Sequence, residues 1–251
     1  MSGLLAIYRR EVAGLFVGPL AWALLFIALF LNGYLFVFYL GTSNGDVDVA
    51  VRWALGESWV FWALLILFPP LLTMRMISEE ARSGILEFLL TAPVTDAAVI
   101  AGKFLAATTF MAILWSSVFV YALVLKSLGV APDFGVLLGG WIGAMACSAF
   151  FSAIGLLMSS LTNTPILAAF AAVIANIAVV IAPMLSSLIP WPWLRDVLGL
   201  LGYPRRFDVL DHHKSSFLLG VFDTSYAVFF VAWTAFFLFL TVRSLEARRW
   251  R

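Results

Sequence analysis

The sequence predicts an all-α, polytopic membrane protein with six transmembrane helices, and three observations predict it. Hydrophobic residues make up 63% of the 251 positions and charged residues 12%, and the mean hydropathy is +1.04, more apolar than a solvated surface tolerates. Six runs are long enough to cross a hydrocarbon core of about 30 Å, which takes roughly 20 apolar helical residues. They lie at about 19–40, 58–76, 104–125, 136–161, 165–189 and 221–242. Between the second and third runs stands one charged, helix-patterned segment, 76–103, whose two ends enter apolar sequence directly. Little sequence lies outside these segments, so a single transmembrane domain over 1–251 is expected.

Ahead of the first run, Leu5, Tyr8, Val12 and Phe16 fall near one helical face while Arg9 and Glu11 point elsewhere. That is the pattern of an elbow helix lying in the headgroup plane. The apolar segment after Arg9 and Arg10 is too long for a signal peptide and no A-x-A-like site follows it, so it reads as an uncleaved span. Residues 41–57, rich in Gly, Asp and Asn, read as a polar connection.

In the charged segment, Ser78 reads as a helix cap, Glu79 and Glu80 occupy the first turn where the dipole favours anions, and Pro93 stops the helix after Thr91. Ile85, Phe88 and Leu89 make one apolar face; Glu80, Arg82 and Glu87 stay polar. By composition alone this is an interfacial helix tucked under the bundle. A second start at Thr95 or Asp96 leads into the third run. Residues 126–135 form a short turn. The link at 162–164 is so short that the fourth and fifth spans must be antiparallel neighbours, with Asn163 or Thr164 able to cap a helix starting at Pro165. The stretch 190–220 opens P-W-P-W-L and continues R-D-V-L-G-L-L-G-Y, which points to short helices on, or dipping into, the outer leaflet.

Six crossings put both termini on one side. That side carries nine of the 15 Lys and Arg residues and the other six, so the termini and the 76–103 segment are expected in the cytoplasm. None of the six runs has an ionisable residue near its middle, where one costs roughly 2.5–3.5 kcal/mol. This disfavours a stand-alone ion-coupled carrier, and no nucleophile-base set for an intramembrane hydrolase is present. No H-E-x-x-H, G-x-S-x-G or G-x-x-x-x-G-K-[ST] motif occurs, so the chain reads as no enzyme. It needs no cofactor of its own, and any ATP work must be fuelled by another chain.

The basic residues form no nucleic-acid patch. His212 and His213, near Asp208 and Asp211, point apart and read as a solvated turn, not a metal site. Cys147 reads as a buried small residue. Asn32, Ser116, Ser117, Ser148, Ser152 and Asn176 read as helix-to-helix hydrogen bonds, with Asn176, Ser148 and Ser152 also candidates for lining a translocation path. Gly140, Ala144, Ser148 and Ser152, beside Gly139 and Gly143, form a small-residue stripe for close packing, inside one subunit or between two. Pro69, Pro70 and Pro183 should kink their helices, as hinges or as shape.

The run M-R-M-I-S-E-E-A-R-S-G-I-L-E-F-L-L-T-A-P-V-T-D-A-A-V-I-A-G-K-F-L-A resembles the loop between the second and third spans of ABC-2-type permeases, whose pattern is E-E-x-x-x-G-T-L-E-x-L-L-(T/S)-x-P-(V/I) followed by a basic residue. Glu79, Glu80, Gly84, Leu86, Glu87, Leu89, Leu90, Thr91, Pro93, Val94 and Lys103 fit it, and Ile85 replaces the usual Thr. H-H-K-S-S-F-L-L-G-V-F-D, through His213, Ser216, Phe217, Gly220, Val221 and Asp223, and the ending F-F-L-F-L-T-V-R-S-L-E-A-R-R-W-R are similar to the gliding-motility-associated group of these permeases.

The resemblance implies a multi-pass protein of the bacterial inner membrane and a coupling helix in the 79–91 segment, received by a P-loop ATPase subunit that binds ATP and Mg. Two ATPase copies and a second copy of this chain are implied, as are an interfacial helix before the first span and small outer helices between spans five and six. The implied function is export or mechanical work driven by that ATPase. A variant of it moves a periplasmic or membrane-anchored auxiliary protein without cargo.

Overall fold

A computed structural model describes residues 2–85, 94–130, 132–185, 191–194, 208–221 and 223–249. Among these the chain is helical throughout, without strands. The helices are α1 (Ser2–Val17), α2 (Pro19–Thr42), α3 (Val47–Arg52), α4 (Trp59–Thr73), α5 (Ser78–Ser83), α6 (Asp96–Trp115), α7 (Ser117–Ser127), α8 (Phe134–Leu161), α9 (Pro165–Leu185), α10 (Val209–Ser215) and α11 (Thr224–Arg249). Among the described residues, six helical stretches are long and apolar enough to cross a membrane: Pro19–Thr42, Val47–Ser83, Asp96–Ser127, Phe134–Leu161, Pro165–Pro183 and Thr224–Arg248. The chain is a multi-pass membrane protein.

The central pillar is α8, which packs against α4, α6, α9 and α11. Its small-residue stripe serves contacts within this chain. A Cβ at Gly139 would stand 2.3 Å from the Phe217 carbonyl oxygen, and one at Gly140 would stand 2.8 Å from Leu55 Cδ1. Cys147 is buried in the same pillar. Chain connectivity makes α8 and α9 antiparallel, and Arg248 at the end of α11 holds the turn between them, donating to Asn163 Oδ1 at 2.8 Å and to the Thr162 carbonyl at 3.2 Å. The helix α1, the end of α11, α5 and the 162–164 turn thus share one end of the bundle; the 43–58, 128–130 and 208–221 segments share the other.

Two expected boundaries move. Residues 47–57 are not a polar connection. Val47, Ala50, Val51, Ala54 and Leu55 recur at helical spacing and are buried, so α3 and a π-helical turn (Trp53–Glu57) extend the second span outward. The extension breaks at Gly56, and the three carbonyls exposed there find side-chain donors. Asn32 Nδ2 donates to Ala54 at 3.2 Å, His213 Nε2 to Leu55 at 2.7 Å and Trp62 Nε1 to Gly56 at 2.8 Å. The third span reaches back beyond its apolar run at 104 to the helix start expected at Thr95 or Asp96: the helix begins at Asp96, and Thr95 Oγ1 caps it by accepting from the Ala98 N–H at 3.3 Å.

His212 and His213 are not a solvated turn. Both are buried on α10, and His213 stacks on Phe61 with ring centroids 5.2 Å apart. Burial pushes the His213 imidazole down to about 4. It is therefore neutral at physiological pH, with the proton on Nε2, since the Leu55 carbonyl can only accept.

Candidate functional site

At the end of the bundle that carries the termini, four charged side chains from three helices meet. Lys103 lies two turns into α6, facing α1, and its side chain is 0% exposed. Its Nζ donates to Glu11 Oε1 at 2.9 Å, from α1, and forms an ion pair with Glu80 Oε2 at 2.8 Å, from α5. Arg10 Nη2 donates to the same two residues, at 2.6 Å to Glu11 Oε1 and 2.5 Å to Glu80 Oε1. Two cations and two anions give a neutral cluster, the arrangement that makes burial of a lysine tolerable.

The α1–α6 contact that permits it depends on Gly102, where a Cβ would come 2.9 Å from Ile7 Cγ2 and 3.2 Å from the Leu4 carbonyl oxygen. Tyr8 and Thr109 add a hydroxyl pair at 3.1 Å. Burial raises the Glu11 carboxyl, but the Lys103 charge and the hydrogen bonds from Arg10 and Lys103 reverse that and hold it below its ordinary range. Arg10 is correspondingly held above its ordinary value, because the two carboxylates outweigh its burial.

The turn that leads from the second span into α5 is fixed from outside. Ser159 of α8, fully buried, accepts from the Ile77 and Ser78 N–H groups at 3.3 and 3.1 Å and donates to the Met74 carbonyl at 3.1 Å. Ser78 is therefore not the cap that its position in the sequence predicts. Its own hydroxyl turns back to the Met74 carbonyl, and the pillar supplies the capping oxygen.

Nor does one helix run from 79 towards Thr91. Gly84 takes a left-handed conformation, φ +75°, and ends α5 after Ser83. Glu79 faces outward and pairs with Arg75 at 3.7 Å; Arg82 and Ile85 are exposed. Glu87, Phe88, Leu89, Thr91 and Pro93 lie outside the described residues.

The three polar residues proposed for the span interior separate. Ser148 accepts from Trp115 Nε1 at 2.9 Å and donates to the Ala144 carbonyl at 2.7 Å, joining α6 to α8. Asn176 Nδ2, on α9, donates at 3.2 Å to the Ile66 carbonyl of α4. That carbonyl lacks its helical donor because the residue four positions on is Pro70. Ser152 is buried in α8 with no partner for its hydroxyl among the described residues. Ser148 and Asn176 thus bond neighbouring helices.

Sequence reasoning missed the cluster itself. Glu11 and Lys103 are 92 positions apart and each reads locally as an interfacial charge. The available signal was that Lys103 lies seven residues inside a helix begun by Thr95.

Spans, broken second crossing and buried junction together define a helical-bundle membrane protein. A scan against protein-family models finds no match, and a search of curated proteins finds none either.

Proposed function

We propose that the chain is the membrane permease subunit of an ABC-2-type transporter, set in a bacterial inner membrane with both termini cytoplasmic. It would work as two copies with two separate P-loop ATPase subunits. The observation that carries the reading is the junction. Glu80 and Lys103, the acidic and basic ends of the motif that resembles the permease loop, meet in one buried cluster with Glu11 of α1. A push on the loop then cannot move α5 alone. It passes through Glu80 to Lys103 and the third span, and through Glu11 and Arg10 to α1, while Ser159 ties the same turn to the pillar. ATP bound between the partner subunits supplies the closing motion, and this chain converts it into a rearrangement of spans two and three.

The test is ATP hydrolysis by the assembled complex. A Glu87→Ala, Phe88→Ala double variant is expected to assemble into the membrane and lose transporter-stimulated hydrolysis by roughly tenfold or more, as when a coupling contact of about 1.4 kcal/mol or more disappears. Undiminished stimulation in that variant would count against the proposal.

A further inference from the structure

We propose that the pocket between α1, the start of α2 and the end of the second span binds a phospholipid with a primary-ammonium headgroup, a phosphatidylethanolamine. This rests only on the chain's being a membrane protein and stands apart from the permease reading. The pocket has a volume of about 180 Å³. Leu15 of α1, Leu20 of α2, and Leu71, Leu72 and Met76 of the second span wall it, while Glu11, Glu80 and Arg75 supply its charges. It therefore sits where an apolar crossing gives way to charged sequence, the depth of lipid headgroups.

Its charges are arranged for a zwitterion. Glu11 Oε1 is shared by Arg10 and Lys103, whereas Glu11 Oε2 has no partner among the described residues and can accept from an ammonium. Arg75 engages Glu79 only through Nε, at 3.7 Å, which leaves its two terminal nitrogens to donate to a phosphate. The leucines and Met76 then face the glycerol backbone and the first methylenes of the acyl chains. Phosphatidylcholine has no N–H to give Glu11, and phosphatidylglycerol brings an anion with no ammonium to donate to Glu11 Oε2. Gly14 leaves the pocket open, because a Cβ there would meet nothing within 4 Å.

The experiment is native mass spectrometry of the purified full chain in detergent, supplied with equal amounts of phosphatidylethanolamine, phosphatidylcholine and phosphatidylglycerol. The unaltered chain is expected to retain phosphatidylethanolamine roughly tenfold over the other two, the ratio of one decade in affinity. Gly14→Phe, which fills the pocket, and Arg75→Gln, which removes the phosphate donor from an exposed position, should each bring retention down to the phosphatidylcholine level. Neither should change the thermal unfolding midpoint. Should Gly14→Phe fail to fold, Arg75→Gln decides. Equal retention of the three lipids, preference for phosphatidylglycerol or phosphatidylcholine, or undiminished phosphatidylethanolamine in well-folded variants would overturn the proposal.

Discussion

Lys103 shows how one residue changes the character of a span. A lysine whose side chain is 0% exposed carries a desolvation cost that only its two carboxylate partners offset, and removing one member leaves the others charged and unmatched. Lys103→Ala is therefore expected to destabilise the folded chain by about 3–5 kcal/mol, read as a lower midpoint in detergent-denaturant unfolding. An unchanged midpoint would mean that the pairs contribute nothing.

Acid should act on the same cluster. The folded Glu11 carboxyl is held below its ordinary value of 4.5, so its stabilising contribution is complete above that value and is lost as the pH falls through the lower folded value. Unfolding midpoints should thus be flat from neutrality to about pH 5 and drop below it, and Glu11→Gln should flatten the acid limb. From the sequence, Glu80 was legible as a first-turn anion and Glu11 as a polar-face residue. Their meeting was not, because the contact joins segments about 70 and 90 positions apart and local periodicity carries no long-range pairing.

At the level of elements, the six crossings were legible because hydrocarbon thickness imposes a length that composition reveals directly. Their ends were less so. The stripe Val47, Ala50, Val51, Ala54, Leu55 has helical spacing, but it is interleaved with Asp46, Asp48, Arg52 and Glu57, and those charges make the segment look like a loop. The helix expected over 79–91 fails at Gly84 because that residue's left-handed conformation terminates α5, a backbone property that the apolar face of Ile85 does not report.

Pro70 and Asn176 show two elements completing each other. The proline strips the Ile66 carbonyl of its donor and the asparagine, 110 positions away, replaces it. Asn176→Leu should cost about 1–3 kcal/mol, the penalty of a buried unsatisfied acceptor. Adding Pro70→Ala, which restores the backbone N–H, should recover most of it in the same unfolding measurement. If the double variant is no more stable than Asn176→Leu, that carbonyl is not the cause.

For the whole molecule, the burial pattern sets the inner crossings apart from the outer ones, with the third between them at 44%. The second and fourth are about seven-tenths buried inside the chain, whereas the first, fifth and sixth bury 28%, 17% and 11% of their apolar windows. The large side chains left outward, such as Phe26 and Phe30 on α2 and Ile166 and Phe170 on α9, suit a hydrocarbon surrounding, where apolar exposure costs nothing. The small-residue stripe of α8 was legible as a packing surface. Which neighbours it received was not, because Gly139 and Gly140 meet partners, Phe217 and Leu55, from opposite directions along the chain.

The broken turn at Gly56 has a bearing on how the chain is made. Leu55 emerges from the ribosome early, yet the imidazole that satisfies its carbonyl is 158 residues further on. Throughout most of translation that carbonyl must borrow water, or the translocation machinery must shelter it, until the last crossing is about to be synthesised. The outward half of the second crossing is thus begun among the first parts of the protein and finished among the last.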